Sequence, residues 1–208
     1  ERSRGLGDVY KRQALVTYDP AWEGEAGSPR LMRSFLGTPP HAPQAVDSFE
    51  GRFYVLDVGI NQIRRYKPRG DTYPEPPDNY FVDPAALPAS LENARDMAID
   101  GYIYVLYNDG GIYKFLQGEL DESFSVRRVP GQLDQAIALS VDPHGGSGRI
   151  YVADQGNNRV VVLGSAGEFQ AQFRAGEAFE MLETLAVDEA SARLYVIGNG
   201  RLYVASLP

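Results

Sequence analysis

Three oxygen-bearing side chains are the best candidates for chemistry, because each stands just before a short apolar stretch. They are Asp96, Gln135 and Glu183. Carboxylate and amide oxygens are the ligands that a hard divalent cation such as Ca²⁺ prefers. If the fold brings these positions together, the three residues would hold a metal ion. Arg95, beside Asp96, is an unfavourable neighbour for a cation, so the alternative is a polar lining in contact with water.

Other catalytic chemistries find few residues to support them. The chain has no cysteine, which excludes a thiol nucleophile, a disulfide framework and a thiolate metal site. Its two histidines, His41 and His144, lie in stretches rich in Pro or Gly that predict solvated loops. No Ser–His–Asp arrangement or phosphate-binding glycine loop stands out. We therefore assign no catalytic residue and expect no cofactor, and whether the protein is an enzyme stays open.

A proline-rich stretch is the best candidate for partner recognition. Residues 67–90 contain six prolines together with the aromatic residues Tyr73, Tyr80 and Phe81. A long connection of this kind predicts a projecting loop, and such loops often carry binding function. We expect Tyr73, Tyr80, Phe81 and the nearby Arg95 to contact a partner. The alternative is a stiff loop that only contacts water.

The elements that must position these residues follow from an internal repeat. A Tyr-Val pair recurs within apolar stretches at Tyr54, Tyr104, Tyr151 and Tyr195, with spacings of 50, 47 and 44 residues. A shorter apolar run ending in aspartate precedes each pair. These aspartates are predicted to occupy equivalent turn positions and to bind nearby backbone N–H groups: Asp47, Asp100, Asp142 and Asp188.

Each repeat predicts four short strands, which is the pattern of a β-propeller blade. The strands are apolar on both alternating faces, as expected when sheets stack face to face. The predicted fourth strands are Tyr80–Val82, Phe124–Val129 and Phe169–Phe173. The predicted units are a half blade at 14–36, blades at about 42–84, 94–130 and 136–174, and an incomplete blade at 182–208. Residues 1–13 read as a non-native tail derived from a linker.

The stretch Ile150–Leu163, IYVADQGNNRVVVL, resembles the NHL repeat. In that repeat a tyrosine-containing strand ends in Asp, and a turn leads through Asn and Arg into the next strand. Asp154 and Arg159 hold those places here, and their charged ends are expected to meet across the turn. The resemblance weakens in the first repeat, where Gln62 replaces the Arg. It implies an all-β propeller with about four to five blades present of six, in an N-terminally truncated bacterial sequence.

NHL propellers mostly bind partners, so the resemblance implies a non-catalytic binding or scaffold module within a longer bacterial protein. The expected partner is a protein, a peptide or a glycan, and an upstream domain would also be a partner. The alternative is a metal-dependent lactonase or lyase of the gluconolactonase type, with a divalent cation at the channel mouth. The 20 Lys and Arg against 28 Asp and Glu give a net charge of −8, which disfavours nucleic acid. We expect no direct membrane contact, and the compartment is not indicated.

Overall fold

The computed structural model describes residues 40–70, 73–144 and 146–207, which form four antiparallel sheets arranged as a four-bladed β-propeller. This confirms the predicted fold class. Blade 1 contains β1–β4, blade 2 β5–β8, blade 3 β9–β12 and blade 4 β13–β15. The strands are β1 Pro43–Phe49, β2 Arg52–Asp57, β3 Gln62–Tyr66, β4 Asp78–Asn79, β5 Ala94–Ile99, β6 Ile103–Tyr107, β7 Ile112–Leu116, β8 Glu119–Leu120, β9 Ala136–Val141, β10 Ile150–Asp154, β11 Arg159–Leu163, β12 Phe169–Phe173, β13 Leu182–Asp188, β14 Arg193–Gly198 and β15 Arg201–Ser206.

Helical structure among these residues consists of short 3₁₀ turns, such as Val58–Ile60 and Gln155–Asn157. The predicted tail at 1–13 and the predicted half blade at 14–36 lie outside the described residues. Both therefore stay predictions.

The core lies between consecutive blades because the middle strands are apolar on both faces. All five residues of β6 are buried, and so are all five of β10. We call the side of a blade that faces the next blade its front face, and the opposite side its back face. Three apolar clusters fill the contacts between blades 1 and 2, 2 and 3, and 3 and 4. Burial on both faces is what holds such sheets in a stack.

The predicted fourth strands are correct in blade 3 and wrong in blade 2. Leu116 pairs with Glu119 across a two-residue turn, Gln117–Gly118, in which both residues have positive φ. A turn of this kind reverses the chain at once, so β8 follows β7 directly. Residues 124–129 instead pair with the next blade: the Arg127 N–H donates to the Gly167 carbonyl at 3.0 Å. In blade 1 the fourth strand is β4, two residues earlier than predicted.

Two glycines permit this crossing between the outer parts of neighbouring blades. A Cβ at Gly118 would clash with the Tyr80 carbonyl, and one at Gly167 would clash with the Ser125 carbonyl. Both glycines also have positive φ, near +90°. Any other residue at these two sites would push the outer segment away from the next blade.

The predicted equivalence of the four repeat aspartates is wrong for Asp47. Asp47 pairs with Tyr54, whereas Ala186 holds that place opposite Tyr195 and Asp188 lies two residues further on. The reason is the turn length. A two-residue turn, Glu50–Gly51, joins β1 to β2, so the strand continues beyond Asp47 to Phe49. Asp100, Asp142 and Asp188 all follow the residue opposite the tyrosine by two positions.

Candidate functional site

Every inner strand, the first strand of each blade, begins with a β-bulge. The three residues predicted to lie at the mouth of the central channel, Asp96, Gln135 and Glu183, are at or near these bulges. The pairing register shifts by one residue at the start of β1, β5, β9 and β13. Bulges re-aim side chains and often adjoin functional sites. The residues that occupy the bulges are equivalent in the four blades: Gln44, Arg95, Ile137 and Glu183.

The predicted metal ligands come from three different places relative to these bulges. Glu183 is itself a bulge residue, Asp96 follows the bulge residue Arg95, and Gln135 precedes β9 in a left-handed conformation with φ of 47°. The ring of bulge residues thus combines an amide, a cation, an apolar side chain and a carboxylate. That donor set does not fit a hard divalent cation, which needs several converging oxygens. In the described part of the chain, no three His, Cys, Asp or Glu side chains are grouped to hold a metal ion.

Both oxygens of the Asp96 carboxylate accept hydrogen bonds from backbone N–H groups. Its Oδ1 accepts from the Met97 N–H at 2.8 Å and its Oδ2 from the Leu139 N–H at 2.9 Å, in the next blade. Glu183 accepts from the Gly200 N–H at 2.7 Å. The Gln44 amide donates to the Arg95 carbonyl at 3.3 Å and links two neighbouring bulges. Two of the three predicted ligands therefore order the strand entries.

Asp47 and Asp142 bridge blades in the way that Asp96 does. One oxygen of Asp47 accepts from the adjacent Ser48 N–H, and the other accepts from the Ile99 N–H in blade 2 at 3.0 Å. Asp142 accepts from the His144 N–H locally and from the Glu189 N–H in blade 4 at 2.7 Å. We call Asp47, Asp96 and Asp142 the inter-blade carboxylates, because each joins one inner strand to the next blade. Asp100 and Asp188 make local turn contacts instead.

Burial near the channel perturbs two of these carboxylates. Desolvation raises the pKa of Asp96 to about 6, against two backbone hydrogen bonds that lower it, and the charge of Asp47 adds to the rise. Desolvation also raises the pKa of Asp47. A raised carboxyl pKa is a frequent mark of functional sites, but structural networks produce it as well. The filled acceptor positions of Asp96 favour the structural explanation.

The hairpin of blade 3 contains a buried ion pair between Asp154 and Arg159. Arg159 Nε donates to Asp154 Oδ2 at 2.6 Å, and both side chains are almost fully buried. The guanidinium also donates to the carbonyls of Pro130 and Gln132 and to Gln172 Oε1. The Asp154 carboxylate accepts from the Asp134 N–H at 2.8 Å and so anchors the entry to β9. The pair lies where β10 ends and β9 begins, and it holds three segments together.

At the position that Arg159 holds in blade 3, blade 1 has a neutral side chain. Asp57 is fully buried and accepts from the N–H groups of His41 and Ala42, which form the entry to β1. Gln62 replaces the arginine, and its amide donates to the Phe81 carbonyl at 2.7 Å while accepting from the Phe81 N–H at 3.1 Å. The Gln62 amide thus pairs with the backbone of the segment that follows β4. His41 lies 3.5 Å from Asp57 and is largely exposed.

The proline-rich segment contributes less to the surface than the sequence predicts. Phe81 is 2% exposed and packs edge-on against Phe115 with ring centroids 5.0 Å apart. This corrects the expectation that Phe81 contacts a partner, because apolar burial between blades 1 and 2 takes the whole ring. Tyr73 is half-buried against Phe53, with its hydroxyl donating to the Gly51 carbonyl at 3.3 Å. Tyr80 is half-buried, and Arg95 is exposed.

The exposed apolar residues of this region are aliphatic, whereas the sequence pointed to its aromatic side chains. Val82 is 95% exposed, and Leu116 and Leu120 are exposed on either side of the Gln117–Gly118 turn. Gly118 lies against the backbone of Tyr80 and Phe81, which places Val82 close to that turn. We call Tyr80, Val82, Leu116 and Leu120 the rim patch. The available signal was Val82, which stands two residues before Pro84, whereas Leu116 and Leu120 lie in a stretch without proline.

Comparisons with known proteins identify the fold and leave the family open. No protein-family model and no curated protein matches the chain. Streptogramin B lyase is similar with a TM-score of 0.51 and 16% identity, over 84% of this chain and 57% of that one. A nidogen/laminin complex gives 0.51 and 17%, over 78% and 59%. The computationally designed Ika4 protein gives 0.52 and 11%, over 83% and 96%.

The chain thus spans less than two thirds of the lyase chain and of the chain matched in the nidogen/laminin complex. At these identities the likeness shows a β-propeller and nothing finer. Among the described residues there is no helix with the length and apolar character needed to span a membrane.

Proposed function

We propose that this protein is a non-catalytic propeller of the NHL type that binds a protein, peptide or glycan partner, as part of a longer bacterial protein whose intact ring has six blades. The observation that carries the proposal is the contrast between its two candidate surfaces. At the channel mouth the carboxylates are committed to backbone hydrogen bonds. On the outer rim, in contrast, aliphatic side chains are left in water.

The rim patch has the features of a peptide-binding surface. Leu116 and Leu120 flank one turn, Val82 lies close to that turn, and all three are exposed. Pro84 restricts the backbone just after Val82. A surface that is already ordered loses little conformational entropy on binding. The half-buried Tyr80 adds an aromatic ring beside the aliphatic residues. We infer that the preferred ligand is an extended peptide with apolar side chains.

The test probes the purified chain with a random peptide library displayed on phage and with a glycan array. The double variant Val82→Asp/Leu120→Asp is expected to weaken binding of the enriched ligands at least about tenfold, or about 1.4 kcal/mol. Met181→Asp/Leu202→Asp is the matched control, because Met181 and Leu202 are exposed apolar residues on blade 4 and the double replacement adds the same charge. Enriched ligands that bind the rim variant as well as the wild type would contradict the proposal.

A metal-dependent lyase is the second candidate, supported by the fold likeness to streptogramin B lyase and the raised pKa of Asp96. Calorimetric titration with Ca²⁺, Mg²⁺, Mn²⁺ and Zn²⁺ separates it from the first. The binding module predicts weak heats. Micromolar affinity that is lost in Asp96→Asn or Glu183→Gln would favour the enzyme.

A further inference from the structure

The outermost strand of blade 2 leaves one edge of its backbone open beside the rim patch. β8 follows β7 across the Gln117–Gly118 turn and is the last strand of its sheet. The Asp121 N–H donates to the Lys114 carbonyl of β7 at 2.8 Å. Backbone groups of successive residues in an antiparallel strand point to opposite edges. The N–H and carbonyl of Leu120 therefore point away from β7, where an added strand can pair with them.

The two faces of the sheet at this edge differ in character. Leu120 pairs with Phe115 on the back face of blade 2, where Phe81 of blade 1 packs against Phe115. Leu116 pairs with Glu119 on the front face. Successive side chains of a strand point to opposite faces. An added strand would therefore place every second side chain against an apolar surface and the others beside a carboxylate.

Three exposed carboxylates within two positions of a rim-patch residue form no ion pair in the part of the chain that the structure describes. They are Asp83, Glu119 and Glu122. The cations of this region are already paired. Lys114 lies 3.5 Å from Asp121, and Arg65 and Lys67 lie 2.9 and 2.7 Å from Asp78. The rim patch thus has an acidic border that a cationic partner complements.

We propose that the rim patch binds an extended peptide in which apolar side chains alternate with Lys or Arg, and that this peptide pairs with the open edge of β8. The inference rests on the proposed function and names the class of its ligand. The apolar side chains contact Leu120 on the back face, and the cations lie beside Glu119 on the front face. In such strand additions main-chain hydrogen bonds give affinity and alternate side chains give specificity.

A second copy of the chain is a poor occupant of this edge. Pairing of two β8 strands would bring Glu119 and Glu122 of one copy against the same residues of the other, and like charges across an interface repel. The chain as a whole also carries a net charge of −8. A cationic peptide meets the opposite condition, because its charge is attracted to the edge with which it pairs.

Fluorescence anisotropy with labelled seven-residue peptides tests the charge pattern. Three peptides share the same alternating valines and carry Lys, Gln or Glu at the positions between them. We expect the Lys peptide to bind at least about tenfold more tightly than the Gln peptide at about 50 mM NaCl, with a smaller difference at about 300 mM because salt screens exposed charges. The Glu peptide is expected to bind most weakly of the three.

The variant Glu119→Gln removes the carboxylate on the front face. It is expected to weaken binding of the Lys peptide at least about threefold and to leave the Gln peptide unchanged, since an exposed ion pair has an effect of this size. Glu180→Gln is the matched control, because Glu180 is an exposed carboxylate before blade 4. Carboxylates that only protect a strand edge from aggregation would leave binding of the Lys peptide unchanged, and that result would overturn the inference.

The uncharged variant Val82→Asn/Leu120→Asn separates this inference from the proposed function. A Gln peptide that binds as tightly as the Lys peptide and is released by this variant would overturn the inference and support the proposed function. If none of the three peptides binds, the inference is overturned. The proposed function fails only when the peptide library and the glycan array also give no ligand that is sensitive to the rim patch.

Methylation of the peptide backbone tests the pairing with β8. Alternate N–H groups of an extended peptide point to opposite edges, so only one set can bond to β8. Two versions of the Lys peptide carry N-methyl groups on one set or on the other. We expect one version to lose affinity at least about tenfold and the other to bind like the unmethylated peptide. Equal affinities of the two versions would overturn the proposed strand addition.

Discussion

The hairpins of blades 3 and 1 occupy equivalent places and are stabilised by different chemistry. Blade 3 uses a buried ion pair, in which Arg159 contacts Asp154 and two backbone carbonyls. Blade 1 keeps the carboxylate as Asp57 but fills the arginine position with Gln62. In both blades the carboxylate accepts backbone N–H groups from the entry to the inner strand. The position after the hairpin turn therefore needs a side chain that can form these hydrogen bonds, and that side chain can be charged or neutral.

The largest expected effect comes from removing Arg159. Arg159→Ala leaves the Asp154 carboxylate buried with only the Asp134 N–H and the Asn157 amide as partners. Breaking a buried pair by removing one partner costs about 3–5 kcal/mol in the free energy of unfolding. Urea unfolding followed by circular dichroism measures the loss.

Two variants sharpen that measurement. Arg159→Gln copies the residue of blade 1 and is expected to recover part of the loss. Arg174→Ala is the control, because Arg174 is an exposed arginine that donates to the Asn157 carbonyl of the same hairpin. A cost below about 1 kcal/mol for Arg159→Ala would show that blade 3 does not need its charged pair.

Asp96 provides a third carboxylate for the comparison: it is partly buried and, like Asp57, has no arginine bonded to it. Burial raises its pKa to about 6, above the ordinary value of 3.8, so the folded chain binds this proton more tightly than the unfolded chain. The stabilisation is complete below about pH 4 and is lost as the pH rises through 6. At about 1.4 kcal/mol per pKa unit, the loss reaches about 3 kcal/mol at most.

Asp96→Asn isolates this contribution, because Asp47, whose pKa is also raised by burial, stays in both proteins. Urea unfolding at about pH 4.5 and about pH 7.5 should show a larger decrease in stability with rising pH for the wild type than for the variant. Parallel pH profiles of the two proteins would mean that Asp96 titrates in the folded state as it does in the unfolded chain.

A smaller effect is expected from Gln62→Ala. The change leaves the Phe81 N–H and carbonyl without their side-chain partner in a buried region. Unsatisfied buried polar groups cost about 1–3 kcal/mol, so we expect about 2 kcal/mol. Gln44→Ala is the control, because Gln44 is exposed and makes one long hydrogen bond. If Gln62→Ala costs more than Arg159→Ala, the neutral hairpin is the more stabilising of the two.

The smallest effect is expected from Arg52→Ala in the turn between β1 and β2. Arg52 contacts Glu50 at 3.1 Å, and the two side chains are 40% and 65% exposed to water. Exposed ion pairs contribute about 0–1 kcal/mol, so we expect less than about 0.5 kcal/mol. This variant gives the baseline for an ion pair without burial, to be measured by the same urea unfolding. A loss above about 1 kcal/mol would weaken the argument that burial makes the Asp154–Arg159 pair important.

Local sequence patterns were enough to predict most of the fold. The Tyr-Val pairs predicted the second strand of every blade, because strands that are apolar on both faces must be stacked. The spacing of Asp154 and Arg159 was enough to predict their contact, since a tight hairpin forces its flanking residues together. The fourth strand of blade 2 was missed because positive φ at Gln117 and Gly118 reverses the chain earlier than its apolar pattern indicates.

The candidate site was less accessible to sequence reasoning. The positions of Asp96, Gln135 and Glu183 look comparable along the chain, but they differ in register. Relative to the equivalent bulge residues, Asp96 lies one position after, Gln135 lies two positions before, and Glu183 is the bulge residue itself. A bulge depends on how two strands pair, and no residue type marks it. Phe81 was assigned to a surface for the same reason, because only the packing of blade 1 on blade 2 buries it.

The sequence by itself determined that this chain forms stacked β-sheet repeats, because apolar periodicity and turn residues act over a few positions. Tertiary structure alone decided what the polar residues do. Asp47, Asp96 and Asp142 each reach an N–H group more than forty residues away, and such a contact exists only when two blades are side by side. The same holds for the faces of the sheets. Val162 and Val204 each pair with a tyrosine of their own sheet, but Val162 is buried against blade 4 whereas Val204 is exposed.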